Sequence, residues 1–244
     1  MGIEQFGAAW GELVRELDWE RLGRAYCEGD GSTFFDDEKV EGVLETGLEL
    51  VDDLVASLPR GGMGRSLYVG AAVAELPLVL AESLALGREV VWLNLPGEEV
   101  DELRRALHAV GARLGLDLPL PRTDALATIA DESCEHLWMT SVLTDPDAFP
   151  ALHDALYERV GTELATGRGN LAEDRARADA LVRELLRKAA PPAILTTTDE
   201  ELEVVRPLLA EAGLDIRVPR SETTSAIVGD LVRLARLARV SSPA

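Results

Sequence analysis

The stretch Ser66–Leu95, SLYVGAAVAELPLVLAESLALGREVVWLNL, decides the fold. Leu67 to Gly70 is a short apolar run that enters a turn of small residues, Gly70-Ala71-Ala72-Val73-Ala74. Leu76, Leu78, Val79, Leu80 and Leu84 then supply an apolar helix, and Gly87 stops it. Glu89 to Leu95 follows as a second run rich in Val and Leu around Trp92, the composition of a strand buried on both faces of a parallel sheet. Strand, tight turn, helix and strand in one unbroken stretch make a βαβ unit, half of a doubly wound α/β fold.

Working outward toward the N-terminus, GlyGlyMetGlyArgSer at 61–66 has the glycines of a phosphate-binding loop in the wrong place. It follows a helix and opens a strand, whereas such loops follow a strand and open a helix, so it reads as a connector. Residues 39–58 form a helix through Val43, Leu44, Leu48, Val51, Leu54 and Val55, closed by Pro59 and Gly61-Gly62. Asp36-Asp37-Glu38 suits the positive end of that helix better than a metal loop, because residues 28–38 lack the regular ligand spacing of a calcium site. Phe6, Trp10, Leu13, Val14, Leu17 and Leu22 recur at three- and four-residue steps, giving one or two amphipathic helices over 3–27. Residues 1–60 thus read as an N-terminal helical cap, and 61–244 as the doubly wound domain.

Toward the C-terminus, Pro96-Gly97 leads into a helix through Val100, Leu103, Leu107 and Val110 that Gly111 ends. LeuGlyLeuAspLeuProLeu at 114–120 is predicted as a third strand, placed at an edge by Pro119. His136 to Met139 centres a fourth strand, with a helix starting near Asp145. Thr198 with Glu201 makes a capping box for a helix through Val204, Leu208 and Leu209. More helix, broken at 161–170, fills 147–190.

From about residue 60 to 240 this layout resembles the class I S-adenosylmethionine-dependent methyltransferases: a three-layer, mostly parallel α/β sheet. In that family the first strand ends in a glycine-rich turn preceded by an acid, the second ends in an acid that holds the ribose, and an Asp-Ala pair after the third lies near the adenine. Here the turn is Gly70-x-Ala72-x-Ala74 with Tyr68 in the acid's place, and the second strand ends at Asn94. Asp124-Ala125 matches the third motif, and Glu135 matches the acidic entry to the fourth strand. Residues 191–198 resemble the family's fifth strand and 209–218 its helix-end-to-sixth-strand junction, which implies that Ser225 to Leu237 is the last, antiparallel strand, although its Arg spacing also suits a helix. The resemblance implies S-adenosylmethionine as cofactor, held by Tyr68, Gly70, Ala72, Asn94, Asp124 and Ala125. Thr140 and Ser141, after the fourth strand, fall where doubly wound folds meet a substrate.

Asn94 in place of an acid removes a charged acceptor worth ~1.5–3 kcal/mol, so the expected loss of cofactor affinity is about tenfold to a hundredfold unless another group compensates. Two functions follow from this departure. One is weak or divergent methyl transfer to a small molecule, a reaction that needs two reactants held in line and no fixed catalytic residue. The other is a binding or scaffold protein that kept the sheet and lost catalysis. A nicotinamide binder would need Gly-x-Gly-x-x-Gly and a terminal acid, and neither is present.

Composition narrows the partners. With 44 acidic against 24 basic residues, the formal net charge is −20, and a surface of that sign repels a phosphate backbone. Nucleic acid is therefore excluded in favour of a small molecule or a protein. Lys39 and Lys188 are the only lysines, and the acidity suits solubility in a salt-rich setting. No run reaches the roughly 18–20 apolar residues of a membrane span, and the first residues lack the basic-then-apolar order of a secretory signal, so the expectation is a cytoplasmic protein without membrane contact. Cys27 and Cys134 are too few for a disulfide framework. His108, His136 and His153 fall on separate elements without an i, i+4 pair, so no metal is expected. His136 reads as a packed strand residue and His153 as a surface one. Oligomeric state is not written in the sequence.

Overall fold

The computed structural model describes residues 2–26, 31–58, 64–220 and 223–240. The glycines at 61 and 62 of the connector and Gly29 lie outside them. Helix α1 (Gly2–Glu16) and α2 (Trp19–Tyr26) precede the long α3 (Asp37–Ser57). Asp36 caps α3, its carboxylate accepting from the Lys39 N–H at 2.9 Å. The acids at 36–38 thus serve a helix start.

Six strands follow: β1 (Arg65–Val69), β2 (Glu89–Leu93), β3 (Cys134–Trp138), β4 (Ala189–Thr198), β5 (Leu214–Arg217) and β6 (Val232–Arg239). They lie in the order β2-β1-β3-β4-β6-β5. The first four are parallel, and β6 runs antiparallel between β4 and β5. The chain leaves β1 for β2 on one side and reaches β3 on the other, so the topological switch lies at β1.

Period-two alternation sorts the strand side chains between two cores. Tyr68, Trp92, Trp138, Ile194, Val232 and Leu234 face one side, where α1, α2, α3, α4 (Leu76–Leu80) and α5 (Glu98–Leu114) pack. Leu67, Val91, Leu137, Leu195 and Leu237 face the other, under α6 (Pro150–Leu156), α7 (Leu171–Lys188) and α8 (Asp199–Val205). The cap helices share the first core: Leu13 and Leu22 are fully buried in it, each burial contributing about 1.5–3 kcal/mol.

Two expectations change. No third strand forms at 114–120, because α5 runs on to Leu114 and turns out at Gly115 in left-handed conformation (φ 67°). Pro119 and Pro121 have no N–H to give, so the edge reduces to one parallel bridge, Leu93 with Arg122. Its two hydrogen bonds are Arg122 N–H to Trp92 O at 2.8 Å and Asn94 N–H to Arg122 O at 2.9 Å. The helix expected near Asp145 begins at Pro150, since the Asp145 carboxylate instead accepts from the N–H groups of Asp147 and Ala148 in a turn. The C-terminal segment is a strand, with 232 and 234 on one face and 235 and 237 on the other. The Thr198–Glu201 capping box is present.

Candidate active site

The carboxyl ends of β1, β2 and β3 open into one cavity of about 540 Å³, within the range of small-molecule sites. Gly70 leaves β1 with φ 73°, and a Cβ there would sit 2.4 Å from a Val142 methyl. The chain turns there because glycine alone has both the conformation and the space. The Gly70 N–H donates to Leu93 O at 2.9 Å, tying the turn to the end of β2. Ala71 O accepts from Trp92 Nε1 at 2.8 Å and from the Asn94 amide at 2.7 Å, while Asn94 Oδ1 accepts from the Leu95 N–H. Asn94 is thus a bracket for the turn as well as a wall of the cavity.

Two carboxylates converge on that turn. Glu75 accepts from the Ala72 N–H at 2.8 Å; Glu99, in the first turn of α5, accepts from the Val73 N–H at 3.2 Å and from the Tyr26 hydroxyl of α2 at 2.6 Å. Burial pushes the Glu75 carboxyl up to about 7, opposed by the Ala72 N–H and reinforced by the charge of Glu99; Thr140 lies on the carboxyl and favours its ionised form. Burial also raises Glu99, against its bonds to Tyr26 and Val73.

Beyond β3 the wall is built from Thr140, Ser141 and Thr144. Ser141 is in left-handed conformation (φ 57°), and its hydroxyl donates to Asp230 at 3.1 Å; sparsely populated backbone of this kind gathers at functional sites. The adjacent Val142 and Leu143 N–H groups donate to Glu201, whose carboxyl burial raises to about 7. Thr140 and Thr144 are 6% and 4% exposed, the Thr140 hydroxyl beside the Glu75 carboxyl and the Thr144 hydroxyl beside Tyr157. Tyr157 donates to Asp230 at 2.6 Å, and burial followed by that bond raises its hydroxyl pKa.

His153, expected at the surface, is buried, because its Nδ1–H reaches the Thr144 carbonyl at 2.6 Å while Nε2 accepts from Arg159 at 2.9 Å. A carbonyl on one nitrogen and a guanidinium on the other fix the tautomer.

Of the residues singled out in the sequence, Gly70, Ala72, Asn94, Thr140 and Ser141 share this cavity. Tyr68 does not reach it. It is fully buried two residues before the turn, stacked on Trp138 with its hydroxyl on Glu82. Asp124 is exposed and paired with Arg122, and Ala125 starts the short 3-10 turn Leu126–Thr128. Neither lines the cavity. Glu75, Glu99, Tyr26, His153, Tyr157, Arg159 and Asp230 went unnoticed as site residues; the acidic opening of α5 is the one signal the chain carried, and it reads equally as a helix start.

A parallel sheet that switches direction of winding at β1, carries its cavity there and ends in an antiparallel β6 slotted between β4 and β5 has the layout the sequence resemblance implies. The fold is methyltransferase-like. Among solved structures, the magnesium protoporphyrin IX methyltransferase of Synechocystis PCC 6803 with bound SAM is similar at 16% identity, with a TM-score of 0.49 over 93% of this chain and 97% of that one. A SAM-dependent methyltransferase from Aquifex aeolicus is similar at 16% identity and TM-score 0.47, over 83% and 98%. A precorrin-6y C5,15-methyltransferase from Geobacter metallireducens GS-15 follows at 11% and 0.45, over 78% and 87%. No protein-family model and no curated protein matches the chain. Among the described residues of this methyltransferase-like fold, no cluster of His, Cys, Asp and Glu is arranged to hold a metal, and no helix is long and apolar enough to cross a membrane.

Proposed function

We propose that the cavity binds S-adenosylmethionine and that the protein transfers its methyl group to a small molecule, at a rate limited by weak cofactor binding. The carrying observation is the convergence of Gly70, Asn94 and two half-buried carboxylates, Glu75 and Glu99, on one cavity at the topological switch. The acids missing at 68 and 94 have counterparts in space at 75 and 99. The cofactor supplies an activated methyl on a sulfonium whose positive charge, together with its ammonium, suits a wall of carboxylates. Asn94 keeps a lone pair on Oδ1 for a ribose hydroxyl after the Leu95 bond. Thr140 and Thr144 offer buried hydroxyls to the acceptor's polar groups, and the volume of the cavity suits a small molecule.

A second reading, binding without catalysis, is favoured by one observation. The Ala72 and Val73 N–H groups, which a ligand would use in a glycine-rich turn, are already taken by the protein's own Glu75 and Glu99.

Calorimetric titration with S-adenosylmethionine and its demethylated product separates the two. Micromolar binding is expected, lost in Gly70→Val, where the new side chain meets Val142 in a backbone conformation that disfavours it. No heat at millimolar ligand would leave the non-catalytic reading.

A further inference from the structure

We infer that the acceptor carries a carboxylate and that Arg159 holds it; this rests on the methyltransferase reading of the same cavity. The carboxylates in the wall are each bonded within the protein: Glu75 and Glu99 to the turn, Asp145 to the N–H groups of Asp147 and Ala148, Asp147 to Arg168 at 3.1 Å, and Asp230 to Ser141 and Tyr157. Arg159 lines the same cavity and, among the described residues, makes no ion pair. It is the only Arg or Lys side chain in the wall.

The guanidinium is also held in place. One nitrogen donates to His153 Nε2 at 2.9 Å, and the group lies over the Tyr157 ring, 4.8 Å from its centroid. His153 is anchored in turn by the Thr144 carbonyl. A guanidinium fixed by one nitrogen and one face keeps its remaining N–H groups for a planar anion, and the fork matches a carboxylate in two parallel bonds. On the far side of the imidazole, Thr144 lines the same cavity, where its hydroxyl can meet a second polar group of the same molecule. Arg159 follows α6, on the β3 side of the cavity, whereas Gly70 and Asn94 end β1 and β2. That separation assigns it to the acceptor and not to the cofactor's own carboxylate.

The test uses benzoate as probe and benzamide as its neutral counterpart, titrated by NMR into the full-length protein at fixed pH and ionic strength. The wild type is expected to prefer benzoate by about tenfold, the value of a charge-assisted pair in a partly buried site. Arg159→Gln, which keeps a donor for His153, is expected to abolish the preference, and Arg159→Lys to retain part of it. Unchanged melting temperatures of the variants exclude a folding defect. Equal affinity of the wild type for the two probes, or a preference that survives Arg159→Gln, would overturn the inference. So would loss of S-adenosylhomocysteine binding in Arg159→Gln, since the carboxylate held would then be the cofactor's. Carboxylate preference in a protein that binds no S-adenosylhomocysteine would instead sink the methyltransferase reading and leave the anion site standing.

Discussion

Glu75 leaves the turn after β1 and bonds back to it through the Ala72 N–H, so its carboxylate is at once a brace and part of the cavity wall. Its folded pKa, raised to about 7 by burial, lies above the ordinary carboxylate value of 4.5. The unfolded chain therefore loses its proton first, and the folded state loses stability as pH rises between those two values. Glu75→Gln stays neutral and keeps the acceptor for Ala72. Its melting temperature relative to wild type is expected to rise from pH 5 to about pH 7 and to level off above that; a difference independent of pH would contradict the assigned cause. At this scale the sequence was legible where position along the chain fixes position in space. Gly70, Asn94 and Ser141 stand at strand ends, and strand ends meet at the switch. Tyr68 was misplaced because the alternation of β1 turns it into the core, and Arg159 was invisible because its role depends on α6 folding back over β3.

Among the elements, the helix after β1 shows how a local irregularity joins a polar group to the sheet. After α4 the chain forms a π-helical turn, Ala81–Ala85. The fully buried Glu82 in that turn meets Ser66 and Tyr68 of β1, His136 of β3 at 2.7 Å and Arg88 at 2.9 Å. His136 passes the network to Thr196 of β4 at 2.9 Å. Burial alone would raise the Glu82 carboxyl, and the His136, Ser66 and Tyr68 contacts outweigh it, leaving its pKa below the usual value. Glu82→Ala leaves the His136 imidazole without its carboxylate and Arg88 with only the 3.4 Å Glu135 pair, so urea unfolding should show a loss of about 3 kcal/mol, the low end for a broken buried pair; a loss under about 1 kcal/mol would mean the network is slack. None of this is readable from spacing, because 66, 82, 136 and 196 come together only once three parallel strands are in register. The absent third strand is the converse case. Its apolar pattern was present, and a left-handed Gly115 with two prolines beyond it overrode the pattern.

For the whole molecule, the switch of winding at β1 places a cavity, and the acidity of the chain gives that cavity its character. The excess of carboxylates in the chain also lines the site with groups suited to a cation, leaving Arg159 as the point of opposite sign. The cap closes the arrangement: α2 packs on α5, and Tyr26 joins Glu99 at the rim. The doubly wound order was legible from the βαβ stretch and the later strands. The share of α2 in the cavity wall was not, because it rests on long-range contacts with α5, the Tyr26–Glu99 hydrogen bond and the Arg21–Glu102 pair among them. The central claim, that Gly70, Asn94, Glu75 and Glu99 form a cofactor site, is tested most directly by a crystal structure grown in saturating S-adenosylhomocysteine. The account predicts the ligand against Gly70, between Asn94 and Thr140, with its ammonium on the carboxylates of Glu75 and Glu99. A cavity without ligand, in which those carboxylates still hold the Ala72 and Val73 N–H groups, would contradict it.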